Sequence, residues 1–190
     1  MRLLFVALAL SMGCSKKARY IDPDAESKVE GTGFESRDLR AVADEMTRML
    51  LASPAITGFA GTPRIAVLPI ENRTRFLIDQ QVLSTLITDA VINGGAGKLG
   101  VVNRELLDQI VKERQMKATG QVDSVAPTGA LAGVEFFLEG EMSSLSASTS
   151  RAQTDYMVVR FQLTNATTGL VVWSNSWEVK KEGSWGVMYQ

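Results

Sequence analysis

The sequence contains no histidine and a single cysteine among its 190 residues. Zinc sites, Cys–His nucleophiles and Ser–His–Asp triads depend on these two residue types. Any catalysis would therefore rest on carboxylate, lysine, serine or tyrosine side chains. A lone cysteine also forbids an internal disulfide bond, so cysteine pairing gives no information about the redox state of the compartment.

A surplus of positive charge is also missing, because 20 lysine and arginine residues face 21 aspartate and glutamate residues. Proteins that neutralise nucleic-acid phosphates usually carry a clear cationic excess. We therefore expect no nucleic-acid partner. The apolar fraction of 45% and the charged fraction of 22% are typical of a globular chain, and 190 residues suffice for one domain with its own core.

The apolar run near the amino terminus is short. It extends over residues 3–10 and follows the cation Arg2. A helix needs about 20 residues to span the hydrocarbon core of a membrane, so this run is not a stable anchor by itself. A charged start, an apolar middle and small residues before Cys14 are typical of a secretory signal. This order predicts a signal peptide over residues 1–13.

The pair Gly13-Cys14 resembles the lipobox of bacterial lipoproteins, although Ser11 stands where leucine is usual. The resemblance implies cleavage before Cys14 and acylation of its sulfur, and Ser15 implies sorting to the outer membrane. Acyl chains bind a bilayer with about 0.8 kcal/mol per buried methylene, which would make the attachment lasting. An ordinary cleaved signal or a plain buried cysteine is the alternative.

Residues 14–36 are predicted to form the lipidated cysteine and a flexible tether, because they mix charges with glycine and proline and show no period. Fully extended, this segment would reach about 75 Å. Residues 37–190 are predicted to form a single globular domain.

In the first half of that domain, the sequence pattern predicts helices that alternate with two short strands. Apolar residues spaced three and four apart indicate helices, and continuous apolar runs indicate buried strands. A helix between two such strands favours a parallel pair. In chain order we predict a helix from the N-cap Ser36 to just before Pro54, a strand over 65–70, a helix with Ile78, Val82 and Val91 on its apolar side, a strand over 99–102, and a helix capped by Asn103.

The second half changes to a period of two over residues 134–142, 156–164 and 170–180. This alternation is typical of antiparallel strands with one buried face, and Asn175 is the polar exception on the apolar face of the last strand. The predicted fold class is α/β. It combines a parallel strand–helix–strand unit and an antiparallel meander in a mixed sheet of about five strands, with helices packed on it.

Two features with catalytic potential have simpler explanations. Glu139 and Glu141 project from one strand face about 7 Å apart, but Arg160 on the neighbouring strand is an ordinary partner for such carboxylates. The glycine-rich residues 94–100 lack the spacing of a phosphate loop and follow a helix instead of preceding one. We therefore expect no enzyme activity, no cofactor and no metal.

Several segments together resemble the LpoB family of penicillin-binding-protein activators and, more distantly, the curli secretion lipoprotein CsgG. They are RIAVLPIENRT, KLGVVNRELLDQIVKERQ and FQLTNATTGLVVWSNSWEVKK, within about residues 62–181. The resemblance implies an outer-membrane lipoprotein that binds and stimulates a bifunctional penicillin-binding protein and has no catalytic residues. The family's tether is long and proline-rich, whereas the tether here holds one proline, Pro23.

The surface that meets such a partner is predicted at the loop after the first strand. Its residues are Asn72, Arg73, Thr74, Arg75 and Phe76. Two cations beside an aromatic ring are favoured at interfaces, and an ordinary solvated loop is the alternative. The alternative function is a subunit of a CsgG-like envelope assembly, although residues 143–154 are too polar for lipid-facing strands. The oligomeric state is left open.

Overall fold

A computed structural model of the chain describes residues 20–25, 31–123 and 129–184. Cys14 and the signal segment lie outside the described residues. The elements are α1 (Ser36–Leu51), α2 (Pro54–Thr57), β1 (Arg64–Val67), β2 (Glu71–Arg73), α3 (Gln80–Gly95), β3 (Gly100–Val101), α4 (Leu107–Ala118), β4 (Phe136–Ser148), β5 (Ala152–Asn165) and β6 (Val171–Ser184).

The strands of the described part form one mixed sheet in the order β3-β1-β4-β5-β6, and β2 also pairs with β4. Strand β1 is parallel to both β3 and β4, whereas β4, β5 and β6 form an antiparallel meander. The predicted fold class is confirmed. A sixth strand arises because the register to β4 shifts by one residue between Val67, which lies opposite Leu138, and Glu71, which lies opposite Glu141, so the apolar run ends as β1 and pairing resumes as β2.

One face of the sheet packs against α1 and α3, and the core lies between these layers. The predicted period of two is confirmed, since every second residue of β4 and β5 points into this core. The buried set comprises Phe136, Leu138 and Met142 of β4, Met157, Val159, Phe161 and Leu163 of β5, Val42, Met46 and Leu50 of α1, and Leu83, Ile87 and Val91 of α3.

Three details of the predicted helices differ from the structure. Glu35 and not Ser36 is the N-cap of α1. Val82 is 47% exposed, because the buried stripe of α3 is narrower than predicted and runs through Leu83. Asn103 does not cap α4 itself but the turn before it. Its Oδ1 accepts the backbone N–H groups of Glu105 and Leu106 at 2.9 and 3.2 Å.

The antiparallel hairpin is longer than the alternating apolar residues indicate. Strands β4 and β5 stay paired from Phe136 opposite Asn165 to Ser148 opposite Gln153, which includes most of the serine-rich residues 143–154. Backbone hydrogen bonds hold this part of the ladder together, so it needs no apolar side chains to form. Polarity alone was therefore a poor indicator of where the strands end.

The chain just before α1 contacts the domain. The Ser36 hydroxyl donates to the carbonyl of Pro23 at 2.6 Å, and Arg40 Nε donates to Asp24 Oδ1 at 2.6 Å. Further along, Thr32 is only 7% exposed. Part of the segment predicted as tether therefore lies against the folded domain. No helix in the described ranges is both long and apolar enough to cross a membrane.

Candidate functional site

The predicted partner loop, Asn72 to Phe76, is a closed turn at the end of β2. Strand β2 places Asn72 opposite Met142 of β4. The Asn72 Oδ1 atom accepts the backbone N–H and the hydroxyl of Thr74 at 2.9 and 2.7 Å, and its Nδ2 donates to the carbonyl of Phe76 at 2.9 Å. The side chain of one residue therefore ties together both ends of the loop. We call residues 72–76 the docking loop.

A buried carboxylate fixes the docking loop to the sheet. Arg75 Nε and Nη2 donate to the two oxygens of Asp155 at 3.0 and 2.6 Å, which is a bidentate ion pair. The Asp155 side chain is fully buried, whereas that of Arg75 is 42% exposed. The guanidinium carbon also lies 4.5 Å from the centre of the Phe76 ring, at cation–π distance. The loop is thus held at its middle as well as at its ends.

The ionisation of Asp155 depends on this arrangement. Burial by itself raises the pKa of a carboxyl group, because the charged form loses its hydration. Hydrogen bonds from Arg75, Ser146, Thr32 and Gln153 outweigh that cost and hold the pKa of Asp155 well below its usual range. Asp155 is therefore a charged anchor at neutral pH, and Arg75 is its counter-ion.

The second arginine of the loop is bound in a different way. Arg73 pairs with Glu71 at 2.8 Å and with Glu141 at 3.4 Å, and its side chain is 57% exposed. Exposed ion pairs contribute only about 0–1 kcal/mol, so Arg73 can exchange these partners for a carboxylate of another protein at small cost. Arg75 has no such freedom. Within the predicted site, Arg73 is available for a partner and Arg75 is a structural anchor.

Sequence reasoning missed Leu77, the residue after the docking loop. Its side chain is fully exposed, at 108% of the reference area. It borders a cavity of about 450 Å³ between the amino-terminal ends of α1 and α3, which is also lined by Phe34, Leu39 and Val82. Glu35, Arg40 and Asp79 also line this groove, so the exposed leucine borders a mixed polar and apolar surface, and it is a candidate contact because its apolar area would leave water on binding. Leu77 directly precedes Ile78, which the sequence places on the apolar side of α3, and the residue types alone do not distinguish the exposed one from the half-buried one.

The paired glutamates lie on the outer face of the sheet in ordinary contacts. Glu139 Oε2 accepts from Gln162 Nε2 at 2.6 Å, and Glu141 accepts from the Ser143 hydroxyl at 2.8 Å. Arg160 lies opposite Glu141 in the ladder, but its Nε donates to Ser174 Oγ at 3.1 Å, and the cation that pairs with Glu141 is Arg73, at 3.4 Å. Among the residues that the structure describes, no group of three histidine, cysteine or acidic side chains could hold a metal ion.

The double substitution of Glu139→Gln and Glu141→Gln should therefore be nearly silent. Glutamine keeps the carbonyl acceptor of both hydrogen bonds, and the ion pair of Glu141 with Arg73 that the substitution removes is exposed, so we expect a change below about 1 kcal/mol in the free energy of unfolding. Denaturant titration measures it. A larger loss would show that the two charges support the fold in a way that their contacts do not indicate.

Comparison with known proteins places this chain in a family. The family model described as "Peptidoglycan-synthase activator LpoB" matches residues 38–179, which is well over half of the sequence. The chain belongs to the LpoB family. This confirms the resemblance found in the sequence, and the match includes all of the docking loop. LpoB proteins are regulatory activators and not known enzymes.

Solved structures of LpoB proteins are similar to this chain at low sequence identity. The LpoB C-terminal domain from Salmonella enterica is 15% identical, with a TM-score of 0.48, and the alignment covers 75% of this chain and 98% of that one. The corresponding domain from Escherichia coli is 16% identical over the same shares, also with a TM-score of 0.48. The NMR structure of E. coli LpoB is 14% identical, with a TM-score of 0.46, and covers 94% of this chain and 88% of that one. A comparison with curated proteins found no significant match. The functional assignment therefore depends on the family match.

Proposed function

We propose that this protein is a lipid-anchored, non-enzymatic regulator on the periplasmic side of the outer membrane that activates a bifunctional penicillin-binding protein. The observation that carries the proposal is the match of the LpoB family model to residues 38–179. Cys14 is the proposed lipidation site. The lipobox resemblance supports it, and the lone cysteine offers the chain no other acylation site of that kind.

The docking loop and Leu77 form the proposed contact surface for the synthase. Arg73 offers an exposed cation, and Leu77 offers an exposed apolar side chain a few residues away. The Arg75–Asp155 pair holds the backbone between them in place. A loop that is already ordered loses less conformational entropy on binding, so more of the contact energy appears as affinity.

The length of the free tether limits where this partner can be. Because Pro23 and Asp24 are bonded to α1, only residues 14–22 separate the lipid from the domain. Nine residues span at most about 30 Å, compared with about 75 Å for the whole predicted tether. The partner should therefore be a synthase whose docking domain extends close to the outer membrane.

Binding and activity assays with purified synthases test the proposal. The full-length protein should bind the periplasmic region of a bifunctional synthase from the same organism and increase its rate of glycan polymerisation. Leu77→Asp should weaken binding at least tenfold, which corresponds to about 1.4 kcal/mol. Leu145→Asp is the matched control, since Leu145 is also exposed, at 71%, but lies on the β4–β5 hairpin. Absence of binding and of any change in rate would contradict the proposal.

A further inference from the structure

Strand β6 is a long edge strand whose two halves are protected to different degrees. It has 14 residues and stands at the end of the strand order, where β5 is its one partner among the strands that the structure describes. In its second half, the Lys181 side chain points inward to Asp38 Oδ2 at 2.5 Å and to the carbonyl of Gly33 at 3.0 Å. Glu178 and Lys180 add charge there. Inward-pointing and clustered charges are the usual means by which an edge avoids pairing with another strand.

The first half of β6 has no such protection. Residues 170–177 carry no charge. Leu170, Val171 and Val172 are 64%, 52% and 42% exposed, although they begin a strand. The opposite edge of the sheet, β3, has only two residues and cannot template another strand. Among the described residues no strand pairs with the outer side of this uncharged apolar half, and such an edge is a site where a further strand can add.

The polar residue Asn175 indicates which strand fits. It lies on the core side of β6 between Trp173 and Trp177, which pack against the hydrophobic core. Its Oδ1 accepts the N–H of Ser176 at 2.8 Å, but among the described residues no acceptor bonds to its amide nitrogen. A second asparagine directly opposite would supply that acceptor, since an amide both donates and accepts.

We propose that β6 pairs with β6 of a second copy of this chain, antiparallel and about a two-fold axis at Asn175. In this register Trp173 lies opposite Trp177 of the second copy on both sides of the central amide pair. Directly opposed aromatic residues stabilise antiparallel strands. Glu178 and Lys180 then lie opposite Val172 and Leu170, so no two like charges meet. The two sheets become one continuous sheet.

The dimer is concentration-dependent. Strand pairing over about eleven residues, 170–180, gives a small interface, below the roughly 1,200 Å² that stable complexes usually bury. Two copies anchored in one membrane experience a much higher effective concentration than free copies do. The pairing uses neither the docking loop nor Leu77. The dimer proposal and the synthase-binding proposal can therefore be contradicted independently of each other.

Disulfide trapping in the full-length protein tests the pairing. A two-fold axis at position 175 places the residue opposite itself, with Cα atoms about 4.5–5.5 Å apart, which a disulfide can bridge. Asn175→Cys should therefore give a reducible covalent dimer under mild oxidation. Leu145→Cys is the control, since that side chain is more exposed but lies away from the edge. The unmodified chain, whose single cysteine is Cys14, gives the background.

A second experiment, with a mixture of two variants, tests the register. It leaves Asn175 in place, so its result does not depend on whether the Asn175 variant folds. Ser174→Cys and Ser176→Cys lie opposite each other across the axis, so a mixture of the two should form a crosslinked heterodimer faster than either alone. Adding Val172→Glu to both places two like charges opposite each other, since position 172 faces Glu178 of the second copy, and should reduce crosslinking at least tenfold. If Asn175→Cys and the serine mixture crosslink no faster than Leu145→Cys, with unchanged circular dichroism, the proposal is wrong.

Discussion

Replacing Arg75 with alanine should lower the free energy of unfolding by about 3 kcal/mol at neutral pH. The substitution leaves Asp155 fully buried with a negative charge and no cation. Removing one partner of a buried pair usually costs about 3–5 kcal/mol, and the lower value applies here because the carboxylate keeps neutral donors such as Gln153. Denaturant unfolding followed by tryptophan fluorescence measures the loss.

Arg73→Ala is the matched control, since the two arginines stand two positions apart in one loop. Arg73 pairs with two exposed glutamates, so its loss should leave the free energy of unfolding nearly unchanged. Equal losses for the two variants would show that Asp155 tolerates a buried charge without its counter-ion. In that case the anchoring role assigned to Arg75 would be wrong.

The effect of Arg75→Ala should also depend on pH. The folded-state pKa of Asp155 lies below its unfolded value. The charged contacts therefore contribute stability above about pH 4, and this contribution is lost as the pH falls toward the folded pKa. In the variant, the hydrogen bonds from Arg75 no longer lower the pKa of Asp155, while burial still raises it, so the pKa is higher than in the parent. The stability difference between the parent and Arg75→Ala should therefore shrink below about pH 4.

The sheet was predictable from the sequence because its core positions repeat. In β5, Met157, Val159, Phe161 and Leu163 alternate with polar residues, and only one orientation of the strand buries all four. The ends of β4 and β5 were not predictable. Their paired serines and threonines satisfy the backbone ladder without burying apolar surface, so composition carries no signal there.

The docking loop was predictable by residue type, but the different roles of its two arginines were not. Asp155 lies 80 positions after Arg75 in the chain, and only the register of β5 brings the two together. One signal was available. The alternation that buries Met157 and Val159 also places Asp155 on the core side of β5, and a carboxylate there requires a cation or several donors. The sequence could have indicated that a partner exists, but not which arginine it is.

The second large loss of stability is expected at Gly140, where the backbone of β4 lies directly against core side chains. Gly140 lies opposite Phe161 of β5. A Cβ atom at this position would lie 2.6 Å from Phe161 Cε1 and 3.0 Å from Ile70 Cγ1. Both side chains are essentially fully buried, and the void beside Phe161 is only about 10 Å³, which is too small to take up the displaced ring. We expect Gly140→Ala to lower the free energy of unfolding by about 2–3 kcal/mol through overpacking. Gly133→Ala is the control, because nothing lies within 4 Å of its added Cβ, and it should be neutral or slightly stabilising.

A double substitution separates overpacking from other effects of the added methyl group. Phe161→Leu removes the ring atoms that the new Cβ would meet, although it costs stability alone by leaving a cavity. If steric conflict with the ring is the cause, Gly140→Ala and Phe161→Leu together should lose at least about 1 kcal/mol less than the sum of the single losses. Additive losses would instead place the conflict at Ile70 or in the backbone of β4. In that case the space for a side chain at position 140 would be limited by Ile70 and the β4 backbone, and not by the ring of Phe161.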